Sequence, residues 1–194
     1  PDTVKGLVLR GIFLCRPSEL RWFYQEGASN IFPDYWEEYL APIPPEERHD
    51  MMAAYYKRLT HENPEVRLGA ARAWSRWEGA TATMTVEKEK LDAFEDPTFA
   101  LAFARIECHY FVNNAFFPTT NYILENIGRI RHIPGWIVQG RYDMVCPARS
   151  AWELHRAWPE SKIEIVPVAA HAASDPGIRS ALIKATDEAR GLWK

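Results

Sequence analysis

Trp136-Ile-Val-Gln-Gly140 and Lys162-Ile-Glu-Ile-Val166 are two short apolar runs that decide the fold of this chain. Their length and their β-branched residues predict two strands. The segment from Ala148 to Trp158 predicts a helix between them, and Asp175-Pro176-Gly177 opens a second helix that runs to Leu192. Strand, helix, strand and helix with short connections are typical of a parallel sheet, so we expect an α/β fold.

An earlier apolar run, Gly6-Leu-Val-Leu-Arg-Gly-Ile-Phe-Leu14, predicts a third strand. The region between this run and Trp136 is predicted to be helical, because capping residues or prolines open several segments. These helices are expected from Ser18 to Gln25, Pro44 to Leu59, Asn63 to about Gly79, and Asp96 to about Asn113. We therefore expect a core strand within residues 1–15, a helical cap over 16–128 and a C-terminal core segment over 129–194.

The composition argues against several classes of protein. The 194 residues carry a formal net charge of -3 without a block of like charges, so neither a nucleic-acid patch nor a basic membrane-surface helix is predicted. No apolar run reaches the roughly 18 residues of a membrane span. Cys15, Cys108 and Cys146 are widely spaced, which indicates a reducing, cytoplasmic compartment. No His-Glu-x-x-His or Cys-x-x-Cys spacing occurs, so no metal site is expected.

Two side chains suited to catalysis follow the two C-terminal strands. Asp143 comes shortly after Gly140, and His171 comes shortly after Val166. In parallel sheets the active residues lie on loops after the strands, so these two belong on neighbouring loops. An acid followed by a histidine is the second part of the Ser…Asp…His order of α/β-hydrolases, in which the histidine transfers the nucleophile's proton. The spacing alone also allows a turn aspartate and a surface histidine.

The nucleophile that such a pair would serve is not found in the chain. No Gly-x-Ser-x-Gly motif occurs in the 194 residues, and no glycine-rich oxyanion loop is visible. Two interpretations follow from the residues. Either the protein is not a serine hydrolase, or the chain is a fragment whose serine lies upstream of Pro1.

Two glutamates lie among aromatic residues of the expected cap. Glu107 shares a helical stripe with Phe103, Tyr110 and Phe111. Glu78 is placed similarly, beside Trp74 and Trp77. A buried carboxylate is costly unless it meets a positive charge or hydrogen-bond donors. The pattern therefore favours salt bridges to arginines such as Arg10 or Arg105, and it also fits a pocket for a cationic ligand.

Several stretches together resemble the proline iminopeptidases. They are residues 7–13 (Leu-Val-Leu-Arg-Gly-Ile-Phe), 22–29 (Trp-Phe-Tyr-Gln-Glu-Gly-Ala-Ser), 74–79 (Trp-Ser-Arg-Trp-Glu-Gly), 99–107, 109–111, 140–147 (Gly-Arg-Tyr-Asp-Met-Val-Cys-Pro) and 151–159. The similarity extends nearly from end to end. It implies part of an α/β-hydrolase sheet with an inserted, mostly helical cap, and it identifies the chain as the C-terminal part of such a protein.

The resemblance also implies a serine exopeptidase that releases N-terminal proline from peptides, with Asp143 and His171 as its catalytic acid and base. It implies that Glu78 and Glu107 hold the protonated imino group of the substrate. The residues implied to line the pocket for the pyrrolidine ring are Phe13, Phe23, Phe111 and Cys146. The implied partners are peptides with N-terminal proline and the missing N-terminal half of the same protein, without nucleic acid, membrane, cofactor or metal.

The chain departs from the usual family pattern at two places. Gly-His-Ser is usual around the catalytic histidine, where this chain has Ala170-His171-Ala172. A histidine is usual where this chain has Gln139. Because the serine elbow is missing, we expect the chain alone to be inactive. Two alternatives remain open: another capped α/β-hydrolase, such as an esterase or epoxide hydrolase, and a non-catalytic binding module.

Overall fold

The structure is a computed structural model that describes residues 1–193. Lys194, the last residue of the expected core segment, lies outside the described residues. The chain divides into two compact units, which we call the sheet unit and the helical unit. The sheet unit holds residues 1–14, 82–84 and the chain from 121 onward, and the helical unit holds residues 15–81 and 85–120.

Strands and helices follow one another in the order that an α/β chain with a helical insertion would have. They are β1 (Leu7–Arg10), α1 (Pro17–Tyr24), α2 (Pro33–Leu40), α3 (Met51–Leu59), α4 (Pro64–Thr81), α5 (Lys88–Phe94), α6 (Pro97–Val112), α7 (Tyr122–Glu125), β2 (Gly135–Gly140), α8 (Ala148–Ala157), β3 (Lys162–Val166) and α9 (Pro176–Arg190). Short 3₁₀ turns lie at Ala28–Asn30, Pro45–Glu47, Asn114–Phe116, Ile127–Arg129 and Gly191–Trp193. The expectation of an α/β protein is confirmed.

β2 is the central strand of the sheet unit, and both of its neighbours run parallel to it. The strand order is β1-β2-β3, and Ile137 lies between Leu9 of β1 and Ile163 of β3. All six residues of β2 are buried. A strand that is buried on both faces reads as a continuous apolar run, which explains why the sequence predicted β2 well.

Helices cover the two faces of β2 because successive side chains of a strand point to opposite sides. Ile137 packs on one side in a cluster with Leu154 of α8 and with Trp158. Val138 packs on the other side with Ile178 of α9. The sheet unit is therefore a layer of strands between α8 and α9.

The short helix α7 belongs to the sheet unit, although the sequence placed residues 16–128 together in the cap. Ile123, Leu124 and Ile127 pack into the same apolar cluster as Ile137 and Trp158. The burial of these three side chains assigns the segment to the sheet. The sequence did not show this, because a short apolar helix carries no sign of its partner.

The helical unit is built around α4 and α6, and large aromatic rings fill its interior. The rings of Tyr39 and Tyr55 stack with their centroids 4.5 Å apart, and Tyr24 stacks on Trp74 at the same distance. Pairs of this kind contribute about 0.5–1.5 kcal/mol beyond the burial of their area. Within residues 1–193, no helix combines the length and the apolar character that crossing a bilayer requires.

Two of the predicted helix starts are wrong. α1 begins at Pro17 rather than after a Ser18 cap, and the main-chain N–H of Arg16 donates to Glu19 (2.9 Å). Proline suits this position because the first turn needs no N–H from it. The helix expected from Pro44 is interrupted, since Asp50 accepts a hydrogen bond from the N–H of Ala53 (3.0 Å) and starts α3 anew.

The carboxyl end of β2 touches the chain that follows β3. A Cβ atom at Gly140 would overlap the main-chain oxygen atoms of Ala169 and Ala170. The N–H of Tyr142 donates to the carbonyl of Ala169 (2.9 Å). The loops after β2 and β3 therefore pack closely at this edge of the sheet.

We predict that G140A destabilises the protein and that G128A does not. The methyl group at position 140 would have to displace main chain, and overpacking of this kind costs about 1–3 kcal/mol. Nothing lies within 4 Å of a Cβ atom at Gly128, so that substitution should change the free energy of unfolding by less than about 0.5 kcal/mol. Urea unfolding of both variants is the measurement, and equal stability would contradict the close packing of the two loops.

Candidate functional site

Asp143 and His171 are hydrogen-bonded at the carboxyl end of the sheet. Asp143 is buried in the turn after β2, and His171 lies on the loop after β3 with its ring partly exposed. The ring Nδ1 is 2.9 Å from Asp143 Oδ2 and 3.1 Å from Oδ1. The structure thus brings together the acid and the histidine that the sequence placed on neighbouring loops.

The hydrogen bond fixes which ring nitrogen of His171 carries the proton. An ionised carboxylate can only accept, so Nδ1 donates and the lone pair of the neutral ring is on Nε2. Nε2 makes no hydrogen bond to any of the residues that the structure describes. A ring held by an acid at Nδ1 with a lone pair at Nε2 is the arrangement of a general base.

Asp143 receives two further hydrogen bonds besides the one from His171. The main-chain N–H of Cys146 donates to Oδ1 (2.7 Å), and Nε2 of Gln139 donates to Oδ2 (3.0 Å). Charge-assisted hydrogen bonds of this kind compensate for the burial of a carboxylate. The acid is therefore held in one orientation by donors on both of its oxygen atoms.

The loop that carries His171 is held by its main chain. The N–H groups of His171 and Ala172 both donate to the carbonyl of Ala82 (3.1 and 2.8 Å). The carbonyl of His171 accepts from the guanidinium of Arg10. Ala170 and Ala172 stand where Gly-His-Ser is usual, and the hydrogen bond between His171 and Asp143 forms with these alanines in place.

Gly11, directly after β1, leaves room for the His171 ring. Its φ is +57°, which favours glycine, and a Cβ atom there would lie 2.9 Å from His171 Cε1 and 3.2 Å from Nδ1. The position therefore needs glycine for two independent reasons. This accounts physically for the glycine in the Leu-Arg-Gly-Ile-Phe stretch.

In the helical unit, Glu78 of α4 and Glu107 of α6 both meet the stacked rings of Tyr24 and Trp74. The Tyr24 hydroxyl donates to Glu78, and the indole N–H of Trp74 donates to Glu107 Oε2 (3.0 Å). Phe111 lies against Tyr24, with ring centroids 5.4 Å apart. The two acids therefore share one aromatic surrounding.

The aromatic residues that the sequence placed on one helical stripe with Glu107 lie in different surroundings. Phe103 stacks on Phe99 (5.3 Å), and Tyr110 is half exposed. The indole that donates to Glu107 comes from Trp74 of α4, and Phe111 of α6 stacks on that indole with centroids 6.3 Å apart. Helical periodicity shows which residues share a face of α6 but does not show which helices pack on that face.

The two arginines considered as salt-bridge partners of these glutamates are placed elsewhere. Arg10 donates to the main chain of His171 in the sheet unit. Arg105 is exposed and makes no ion pair with Glu107, whose one hydrogen-bond donor within residues 1–193 is the neutral indole of Trp74. The expected salt bridge to these arginines is therefore wrong for Glu107.

Burial changes the proton affinity of the groups around Trp74. It raises the pKa of the Glu107 carboxyl to about 7, and the hydrogen bond from Trp74 opposes this only in part. The pKa of Tyr24 lies well above its usual value, first because of burial and then because of the charges of Glu78 and Glu107. Tyr24 thus remains a proton donor, while Glu107 changes its charge near neutral pH.

The remaining predicted site residues fall into both units. Phe13 and Cys146 lie in the sheet unit, and no disulfide joins Cys146 to another cysteine. Phe23 and Phe111 lie in the helical unit, where Phe23 is 2% exposed and packs against Trp77 (5.4 Å). Phe13 and Phe111 are half-buried.

No role was predicted for Tyr24 from the sequence, and Gln139 was noted only as a departure from the family pattern. Both make direct hydrogen bonds to predicted site residues, Tyr24 to Glu78 and Gln139 to Asp143. A signal for Gln139 was present, because a polar residue within a buried apolar strand must find hydrogen-bond partners. For Tyr24 the partner is 54 positions away, and no local pattern points to it.

A surface groove of the helical unit does not involve these residues. It has a volume of about 740 Å³ and lies between α3, α4 and α6, where Leu59, Leu68, Leu101 and Ile106 contribute to its walls. None of the predicted site residues lines it. Glu78 and Glu107 therefore lie outside this groove.

We predict that E107Q removes a pH dependence of stability. A carboxyl whose pKa is about 7 when folded and near 4.5 when unfolded lowers the free energy of unfolding as the pH rises from about 4.5 to 7. The shift corresponds to at most about 3 kcal/mol. Urea unfolding between these pH values should lose this slope in E107Q and keep it in E37Q, which changes an exposed glutamate. Equal slopes in all three proteins would contradict the raised pKa.

Curated relatives cover nearly the whole chain. The chain is 59% identical over 187 residues to a protein of Leptolyngbya boryana named "Probable proline iminopeptidase", which is 96% of this chain and 58% of that protein. It is 51% identical to the proline iminopeptidase of Arabidopsis thaliana (99% of this chain, 51% of that protein) and 48% identical to that of Neisseria gonorrhoeae (97% and 59%). No protein-family model matches the chain.

The chain spans about 58% of the length of the first of these relatives, so the similarity concerns a part of each of them. The aligned part covers 96–99% of the chain in these comparisons, so it includes the segments that carry Glu78, Glu107, Asp143 and His171. Over nearly its whole length the chain is therefore similar to a part of the curated proline iminopeptidases.

Proposed function

We propose that the complete protein is a cytoplasmic serine exopeptidase that releases N-terminal proline from peptides. The observation that carries the proposal is the Asp143–His171 pair, which has the geometry of an acid and a base on successive loops of a parallel sheet. In this proposal the sheet unit belongs to an α/β-hydrolase core, and the helical unit forms its cap. A serine in a Gly-x-Ser-x-Gly elbow outside this chain supplies the nucleophile.

His171 acts as base and then as acid in the proposed reaction. Its Nε2 takes the proton of the serine hydroxyl while the serine oxygen attacks the carbonyl carbon of the N-terminal proline. Asp143 stabilises the imidazolium that forms. His171 gives the proton to the leaving peptide nitrogen as the C–N bond breaks, which leaves a prolyl ester on the serine. Water, deprotonated by His171, then hydrolyses this ester and frees the serine.

Glu78 and Glu107 are proposed to bind the protonated imino group of the substrate. Glu107 has one neutral donor within residues 1–193, so its carboxylate retains the capacity to accept hydrogen bonds from a cation. The residues proposed to shape the apolar surroundings of the pyrrolidine ring are Phe13, Phe23, Phe111 and Cys146.

The first prediction of the proposed function concerns the acid of the pair. In the complete protein, D143N should lower kcat for a prolyl arylamide by about 10⁴-fold, because the amide no longer fixes the tautomer of His171. D34N, which changes an exposed aspartate of α2, should keep the activity, and this chain alone should stay at background. Near-normal kcat in D143N would show that another acid orients the base.

The second prediction concerns recognition of the cation. Truncating one member of a buried charge pair costs about 2–5 kcal/mol, so E107Q in the complete protein should lower kcat/KM for prolyl substrates by roughly 30-fold or more. The assay should be made at a pH above about 7, where Glu107 is ionised. E37Q is the matched control.

An uncharged ester of similar size separates recognition from folding in the same assay. Its hydrolysis uses the same base but needs no acid for an amine, so E107Q should leave it nearly unchanged. Equal losses on both substrates would make Glu107 a structural residue. If E107Q lost activity on neither substrate, this would contradict the proposed binding of the imino group by Glu107 and would favour a hydrolase of neutral substrates.

A further inference from the structure

Gln139 is a buried polar side chain at the carboxyl end of β2. It is 0% exposed, and its amide contacts three groups in two other segments of the sheet unit. Oε1 accepts from the main-chain N–H of Ile12, just after β1 (3.1 Å). Nε2 donates to Oδ2 of Asp143 (3.0 Å) and to the carbonyl of Cys146 (2.9 Å).

The partner atoms of Gln139 decide which end of its amide is which. A main-chain N–H can only donate, so the atom that faces Ile12 must be the carbonyl oxygen. The NH₂ group then faces Asp143 and the Cys146 carbonyl, which are both acceptors. Turning the amide over would oppose donor to donor at Ile12 and acceptor to acceptor at the other two contacts. The orientation is therefore fixed by three hydrogen bonds together.

We propose that Gln139 is the positioning residue of the Asp143–His171 pair, because its amide holds the Asp143 carboxylate in the orientation that meets His171 Nδ1. Cys146 N–H fixes only Oδ1. Oδ2, the oxygen nearer to Nδ1, is fixed from within the protein by Gln139. The catalytic meaning of this inference rests on the proposed function, but the hydrogen bonds themselves do not.

A neutral amide performs this task without weakening the acid. A lysine or arginine at position 139 would also donate to Asp143, but its charge would offset the field that stabilises an imidazolium. The amide supplies a donor and no net charge. Its own burial is compensated, since both of its ends are hydrogen-bonded.

The test compares Q139M and Q139E with the unaltered chain by NMR. The observable is the low-field resonance of the His171 Nδ1 proton, which D143N should abolish. Q139M removes the donor at similar size and should weaken this resonance at every pH. The introduced carboxyl group of Q139E can donate to Asp143 only while it is protonated, and burial beside Asp143 favours that form. Q139E should therefore keep the resonance at low pH and lose it reversibly as the pH rises.

Gln25 offers a matched control in the helical unit. Its amide also bridges main-chain groups, accepting from Met51 N–H (3.0 Å) and donating to the Arg48 carbonyl (2.9 Å). Q25M and Q25E should lower the urea midpoint without changing the His171 resonance. A loss of the resonance in the Gln25 variants equal to that in the Gln139 variants would overturn the inference, since the effect would then be general destabilisation.

Two further measurements keep the inference testable if Q139M does not fold. In the unaltered chain, the Nε2 protons of Gln139 should be protected from exchange with solvent, and rapid exchange of both would overturn the inference. In the complete protein, Q139M should lower kcat for prolyl substrates by about 10- to 100-fold with little change in KM, as expected for one hydrogen bond to a charged group. A normal His171 resonance in both Gln139 variants would overturn the inference whatever the protein hydrolyses, whereas failure on prolyl substrates alone would overturn only the proposed function.

Discussion

Three hydrogen-bond donors converge on the buried carboxylate of Asp143, and much of the sheet unit is arranged to supply them. One donor comes from the turn (Cys146 N–H), one from the strand (Gln139 Nε2) and one from the next loop (His171 Nδ1). A buried charge without such partners would be strongly destabilising. The acid therefore requires that the ends of β2 and β3 and the residues between them remain in contact.

Two positions of the sheet unit, 11 and 140, have no room for a side chain, and this follows from the same requirement. Gly140 allows the main chain at Ala169 and Ala170 to approach β2, which brings the loop of His171 toward Asp143. Gly11 leaves the space that the imidazole ring occupies. Neither glycine is needed by the strands themselves, since glycine weakens a strand interior. The two glycines lower local stability, and they are needed because a histidine is placed beside a buried acid.

The sequence predicted the parts of this arrangement that depend on order along the chain. The alternation of β2, α8, β3 and α9 was readable from short apolar runs, and it placed Asp143 and His171 on successive loops. The start of α6 was also readable, because Asp96 caps it and Pro97 follows. These features are local, or they follow from the geometry of parallel strands.

The parts that the sequence missed depend on contacts between distant positions. Tyr24 and Glu78 are 54 residues apart, and Trp74 and Glu107 are 33 apart. Periodicity put Glu107 on an aromatic face with Phe103, Tyr110 and Phe111 of its own helix, but it cannot show that Trp74 of α4 packs there and donates to the acid. Gln139 was visible as an unusual residue, yet its role needed the positions of the Ile12 N–H and the Asp143 carboxylate.

Asp143 and Glu107 show two different ways of keeping an acid inside a protein. Asp143 has donors on both oxygens, so its hydrogen-bonding capacity is largely used and its orientation is fixed. Within the described chain, Glu107 has the single indole donor of Trp74, and burial raises its pKa to about 7. A carboxylate that orients a histidine benefits from having all its hydrogen bonds made, because any movement of the carboxylate would also move the imidazole ring. In the proposed function Glu107 receives a cation, and unused acceptor capacity suits that role. Since an under-bonded carboxyl destabilises the unit that contains it, the stacked rings of Tyr24, Trp74, Tyr39 and Tyr55 help to offset that cost through their burial.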